Sequence, residues 1–340
     1  MGYMNKKNID LFRNDEFLIL YGNGNGTFQS PIRFPVTGLK YFADWLISDF
    51  NRDHWLDIAV INDTNFLYVY FGNENGTFEK GAEVYVEHDG SDIEMCSADL
   101  NNDSYLDFVM TSSNYAGFII YFGSINGTFI EELTHFTSAY IVSSQVIAAD
   151  FNNDDIMDIA MIYLLNRGIV IYNGYGNGSF DAGRLFFTGG GMNPKYFAVG
   201  DFNEDKILDI VVVYSGQSIS SVFFGYGNAT FGERVRLIIS IGVTYAKPVV
   251  DDFNQDGHLD IAIVTRIPST IHIFYGDGNG SFEVNVIDVF DFSPDMSRIS
   301  VADFNSDGYP DIFAIFDLNI IIFFNTGQCD NELETSTSIY

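Results

Sequence analysis

A nine-residue acidic phrase recurs six times along this 340-residue chain. It reads D-F-N-R-D-H-W-L-D from Asp49, D-L-N-N-D-S-Y-L-D from Asp99 and D-F-N-N-D-D-I-M-D from Asp150. The later copies are D-F-N-E-D-K-I-L-D from Asp201, D-F-N-Q-D-G-H-L-D from Asp252 and D-F-N-S-D-G-Y-P-D from Asp303. A second phrase keeps the same step, from Y-G-N-G-N-G-T-F ending at Phe28 to Y-G-D-G-N-G-S-F ending at Phe282. Two phrases locked to one period of about 51 residues mean stacked units, and that length suits the blades of a propeller.

Each unit reads as four strands. Strand A runs into the acidic loop and ends in a small residue (Ser48, Ala98, Ala149, Gly200 and Ala302), a pattern that Asp251 breaks. Strand B leaves the loop as an unbroken apolar run such as L-D-I-V-V-V, which implies burial on both faces. Strand C precedes the Asn-Gly turn, a strong hairpin signal because both turn residues need positive φ, and strand D follows it. The reading is all-β: a β-propeller of four-stranded blades, seven with incomplete terminal blades, or alternatively six. The first blade lacks an acidic loop and its inner strand, and the last stops after Asn319-I-I-I-F-F-N-T-G without strand D. One propeller then spans residues 1–328, with 329–340 as a disordered tail.

The acidic phrase opens like an EF-hand loop, but the copy at Asp252 has Ile263 where a bidentate Glu belongs, and strands replace the helices. Each loop still offers carboxylates at positions 1, 5 and 9 and an amide oxygen at 3. These are Asp49, Asn51, Asp53 and Asp57; Asp99, Asn101, Asp103 and Asp107; and Asp150, Asn152, Asp154 and Asp158. The other three sets are Asp201, Asn203, Asp205 and Asp209; Asp252, Asn254, Asp256 and Asp260; and Asp303, Asn305, Asp307 and Asp311. Position 7 (Trp55, Tyr105, Ile156, Ile207, His258 and Tyr309) varies freely, as expected of a residue giving only its backbone carbonyl. Hard oxygen donors in a flexible loop suit Ca²⁺, up to six ions in all, better than Mg²⁺ or Zn²⁺. The competing account is a tight turn in which Asp and Asn bond only their own backbone. Gly257 and Gly308 at position 6 ease the bend, so the loops from 252 and 303 are expected to be best formed. Lys206 marks the weakest expected site.

With acidic loops at this step, each followed by an aromatic-Gly and an Asn-Gly-Thr-Phe hairpin, the chain resembles the FG-GAP repeats of integrin α-chain propellers. It is also similar to VCBS-type repeats. The resemblance implies a seven-bladed propeller, calcium in the A–B loops, an extracellular setting and recognition through the opposite face. The chain departs from it at Asn173-Gly174 and Tyr275-Gly276, and no Gly-Ala-Pro follows the hairpins.

A net charge of −30 excludes nucleic acid as a partner and disfavours anionic membranes, and no apolar run is long enough for direct membrane insertion. No signal peptide is visible, and the chain reads as a fragment of a longer extracellular or cell-surface protein. Cys96 reads as a free thiol and His272 as a core residue. No nucleophile elbow, P-loop or His/Cys metal spacing occurs, so the chain reads as a binding module rather than an enzyme. The alternatives are the propeller of a secreted polysaccharide-active enzyme and a structural repeat spacer. Loops opposite the acidic ones carry Tyr41, Tyr140, Lys195, Tyr196, Tyr245 and Arg298, candidates for a ligand face that takes a protein or glycan. The hairpin tips Asn25, Asn75, Asn126, Asn177, Asn228 and Asn279 are also N-glycosylation sequons, although turn chemistry alone accounts for Asn-Gly.

Overall fold

The computed structural model describes residues 8–336 apart from 14–15, 36–41, 63–64, 87–92, 113–116, 137–144, 164–166, 190–191, 240–245, 267–268, 289–295, 317–318 and 326–333. The fold is a β-propeller built from six four-stranded antiparallel sheets and one of three strands. The three-stranded sheet holds β1 (Asn8–Arg13), β2 (Glu16–Tyr21) and β3 (Ile32–Pro35). Next come β4 (Phe42–Ser48), β5 (Asp57–Asn62), β6 (Phe66–Gly72) and β7 (Phe78–Tyr85), then β8 (Met95–Ala98), β9 (Asp107–Ser112), β10 (Gly117–Gly123) and β11 (Phe129–Phe136). The fourth sheet is β12 (Val146–Ala149), β13 (Asp158–Tyr163), β14 (Gly168–Tyr172) and β15 (Arg184–Phe187). The fifth is β16 (Pro194–Gly200), β17 (Asp209–Tyr214), β18 (Ile219–Gly225) and β19 (Phe231–Ile238). The last two are β20 (Val249–Asp251), β21 (Asp260–Arg266), β22 (Ser269–Gly276) and β23 (Phe282–Asp288), and β24 (Met296–Ala302), β25 (Asp311–Phe316), β26 (Asn319–Phe324) and β27 (Glu334–Ser336).

The chain groups into two compact units. One comprises Met1–Pro35, Lys195–Tyr226 and Phe231–Tyr340, and the other Val36–Pro194 with Gly227–Thr230. In both units the second and third strands of each four-stranded sheet carry the core, because sheets stack face to face. Every residue of β13 (DIAMIY) and β17 (DIVVVY) is buried, which is why these strands read as unbroken apolar runs. Alternate side chains serve opposite neighbours. In the Val36–Pro194 unit, Met110 and Ile119 join Ala59 and Val69 on one side, while Val109 and Phe118 join Ile159 and Tyr172 on the other. In the second unit, Val211 and Val222 meet Ile261 and Phe274, and Ala262 and Ile273 meet Ile312 and Ile321. Each such aliphatic side chain contributes about 1.5–3 kcal/mol by leaving water. Outer strands face solvent and alternate accordingly, as in the pattern of β7.

Six complete sheets match the six-blade alternative, and residues 8–35 add a further sheet that lacks an inner strand, as expected of an incomplete first blade. The expectation that the last blade stops without a fourth strand is corrected. β27 pairs with β26 through Ile322↔Ser336, Phe323↔Thr335 and Phe324↔Glu334, so part of the supposed disordered tail belongs to the fold. Its polar sequence concealed it, because three residues reading E-T-S carry no apolar strand signal.

Candidate functional site

The six acidic loops adopt one conformation, and its logic starts at position 2. Phe50, Leu100, Phe151, Phe202, Phe253 and Phe304 are buried and pin each loop to the core. Their backbone N–H groups donate to one oxygen of the position-9 carboxylate at 2.7–2.9 Å. The other oxygen accepts from the N–H of the glycine at or just after the end of the third strand: Gly72, Gly123, Gly174, Gly225 and Gly276, at 2.7–2.9 Å. In the last blade Asn325 takes that place, its N–H 2.9 Å from Asp311 Oδ1. In the other five blades a steric reason favours glycine, since a Cβ at Gly72 would lie 2.2 Å from the Leu56 carbonyl oxygen. Position 9 thus stitches strand A's end to strand C, a role the spacing alone did not reveal.

Position 1 organises the bend. Its Oδ1 accepts the N–H of position 5 at 3.0–3.2 Å, and its Oδ2 accepts that of position 6 at 2.7–3.3 Å. Position 5 in turn accepts the N–H of position 7 at 2.8–2.9 Å. Positions 4 and 6 both have positive φ in all six loops, from Arg52 at 63° and His54 at 73° to Ser306 at 63° and Gly308 at 96°. Only the requirement at position 6 was legible in the sequence, through Gly257 and Gly308. A non-glycine residue there is held against roughly 1–2 kcal/mol of local strain.

In five loops the position-3 amide is locked too. Its oxygen accepts the position-5 N–H at 3.0–3.2 Å, and its nitrogen donates to the position-5 carboxylate at 2.8–3.0 Å. The loop at 150–158 differs, for Asn152 Oδ1 is buried without a hydrogen-bond partner. The loop at 201–209, expected to be the weakest, holds the full set, and Lys206 is exposed.

Exposure grades across each loop: position 5 is exposed, position 1 half-buried and position 9 fully buried. Burial pushes Asp57, Asp107, Asp158, Asp209 and Asp311 up to about 6, and Asp260 up to about 7, against the pull of their backbone donors. The carboxylate at position 5 pushes the same way in every loop. The donor set is therefore all oxygen and electrostatically short of a cation, and the orphaned Asn152 oxygen is one more acceptor awaiting a partner. Among the described residues, no group of three or more His, Cys, Asp or Glu side chains is arranged to hold a metal ion.

The hairpin tips show why Asn and Thr recur there. The hydroxyl of Thr27 donates to Asn25 Oδ1 and that of Ser179 to Asn177 Oδ1, both at 2.6 Å, and Thr230 bonds Asn228 in the same way. All six tip asparagines are exposed.

Of the ligand-face candidates, Tyr41, Tyr140 and Tyr245 lie outside the described residues, as does the side chain of Arg298. Lys195 and Tyr196, expected in a loop, open strand β16, with Lys195 Nζ 5.3 Å from the centre of the Tyr196 ring. Arg298 likewise belongs to strand β24, so these inner strands begin earlier than their small-residue ends indicated. Cys96 is half-buried and forms no disulfide among the described residues. His272 is buried, its Nε2 3.0 Å from Thr270 Oγ1.

Comparison with solved structures gives related folds at low identity. A lectin from Burkholderia pseudomallei, BP39L, superposes with a TM-score of 0.67 at 13% identity, over 95% of this chain and 95% of that one. A lectin from Agrocybe aegerita that recognises non-reducing terminal N-acetylglucosamine gives 0.63 at 16% identity, over 94% of this chain and 87% of that one. The periplasmic gluconolactonase PpgL of Pseudomonas aeruginosa gives 0.67 at 13%, over 95% and 91%. Among curated proteins no sequence relative matches. The FG-GAP-like repeat family matches four overlapping stretches, residues 49–110, 99–161, 201–263 and 252–314, each opening on the first aspartate of an acidic loop. These stretches take in more than half of the sequence, and the chain belongs to the FG-GAP-like repeat family.

Proposed function

We propose that the chain is a calcium-binding extracellular β-propeller that recognises a ligand, a glycan in the first instance. The observation that carries the reading is the recurrence, in six loops, of a buried carboxylate beside two others, with His54 beside Asp49 the one ion-pair partner of these carboxylates among the described residues. Calcium would be held by positions 1, 3, 5 and 9 with the position-7 carbonyl, and it would supply the positive charge that offsets the mutual repulsion of these carboxylates. Modules of this kind bind at roughly 10⁻⁴ to 10⁻³ M, useful where calcium is that abundant, which favours an extracellular or cell-surface setting. There the exposed tip asparagines would be open to N-glycosylation.

Two of the related folds are lectins, which favours a glycan over a protein as the first ligand to test. The experiment is a glycan array probed in millimolar calcium and again with excess chelator. Retention of a glycan in calcium and its loss in chelator is the expected result. A folded, calcium-loaded chain that retains none would overturn the glycan assignment.

A further inference from the structure

The two halves of the hairpin phrase, aromatic-Gly and Asn-Gly, meet each other across neighbouring sheets. A Cβ added at Gly127 would lie 2.3 Å from the ring of Phe71, one at Gly178 would lie 2.2 Å from Phe122, and one at Gly280 would lie 2.4 Å from Phe224. In each case the aromatic residue next to last in the third strand of one sheet covers the turn glycine of the next. A backbone bond accompanies the contact, as Gly178 N–H donates to the carbonyl of Leu100, position 2 of the preceding acidic loop, at 3.0 Å.

One joint is an exception at both ends. Where the aromatic residue is replaced by Asn173, the following turn glycine is replaced by Ala229, which is buried and sits at φ 57°. Ala229 still donates its N–H to Phe151, again position 2 of an acidic loop, at 3.0 Å. A smaller side chain on one partner thus accompanies a larger one on the other.

The same joint recurs between the first sheet and the last. Gly26, at φ 77°, would place a Cβ 2.5 Å from Phe324, and its N–H donates to the Phe304 carbonyl at 3.2 Å. Leu20 packs with Phe304 and Ile322 behind it. We infer that residues 8–35 are a closing sheet clasped to the final blade by Gly26 under the Phe324 ring, the joint that elsewhere links consecutive blades. Because this joint brings together sheets at opposite ends of the chain, it is the place where the closing sheet separates first.

The test is hydrogen exchange on the full chain, comparing peptides from residues 8–35 with those from β25 and β26. Gly26→Ala is expected to speed exchange of 8–35 about tenfold relative to β25 and β26, as a local opening does. Gly24→Ala is the control for backbone strain, because Gly24 has φ 79° but only Ser306 Oγ nearby, at 3.4 Å. Adding Phe324→Asn to Gly26→Ala recreates the Asn173/Ala229 pairing and is expected to restore protection. Equal effects of the two alanines, or further loosening by Phe324→Asn, would overturn the clasp. Should Gly26→Ala fail to fold, Phe324→Asn alone decides: selective loosening of 8–35 supports the joint, and unchanged exchange contradicts it.

Discussion

The loops at 150–158 and 201–209 differ in a way that their sequences do not announce. By sequence the second is compromised, since Lys206 stands where a glycine would relieve the bend and puts a positive charge beside the carboxylates. In the structure that loop keeps its position-3 amide bonded to Asp205, while in the loop at 150–158 the amide oxygen has no hydrogen-bond partner. Lys206 at position 6 gives its loop only an N–H and its side chain is exposed, whereas His54 at the same position also lies 4.0 Å from Asp49 Oδ2. Position 3 must aim an amide, and aim depends on surroundings that a nine-residue phrase does not contain. In this family of loops, side-chain direction matters more than local composition.

The largest effect is expected at the residue the two loops share. Asp209→Ala leaves the buried N–H groups of Phe202 and Gly225 unpaired, and Asp158→Ala does the same to those of Phe151, Asn152 and Gly174. Each is expected to cost about 2–4 kcal/mol in urea unfolding without metal. A cost below 1 kcal/mol would remove the stitching role assigned to position 9.

The pH response comes next. These carboxyls hold their protons up to about 6, and Asp260 up to about 7, against an ordinary 3.8, so the folded chain binds protons before the unfolded one does. Their contribution is complete below pH ~4 and fades as pH rises through 6 to 7. In chelator the midpoint of thermal unfolding should therefore rise as pH falls from 7.5 to 5. With calcium, which needs the carboxylates ionised, the trend should flatten or reverse. A metal-free midpoint that falls over that range would contradict the assignment of these shifts to burial.

Two smaller substitutions separate the loops directly. Asn203→Ala removes an acceptor for the Asp205 N–H and is expected to destabilise the metal-free chain by about 1 kcal/mol. Asn152→Ala should cost less, because its oxygen bonds nothing that would be stranded. Equal costs would remove the distinction drawn between the two loops. Least of all, Lys206→Gly should stabilise by about 0.5–1 kcal/mol through relief at φ 66°, without changing how many calcium ions bind. A change in that number would show that the lysine charge, rather than its backbone, sets the behaviour of the loop.

Much of this was legible in the sequence because repetition amplifies weak signals. One Asn-Gly is a turn; six copies at a fixed step beside six acidic loops define blades, strand order and the doubly buried inner strands. What stayed hidden was relational. The close approach of Gly72 to Leu56, the positive φ of Arg52 at position 4 and the polar outer strand at 334–336 depend on partners distant in the chain or on water. The ligand-face residues were read from loop composition, and at Lys195, Tyr196 and Arg298 the backbone proved to be strand.

Calcium is the hinge of the account, and thermal unfolding tests it most directly. The chain should be melted in several millimolar calcium, in equal magnesium and in excess chelator at constant ionic strength. A site held at ten times its dissociation constant adds roughly 1.4 kcal/mol. With up to six such sites, calcium should raise the midpoint well above the magnesium and chelator values. A midpoint that is the same in all three would contradict the assignment of the acidic loops to calcium.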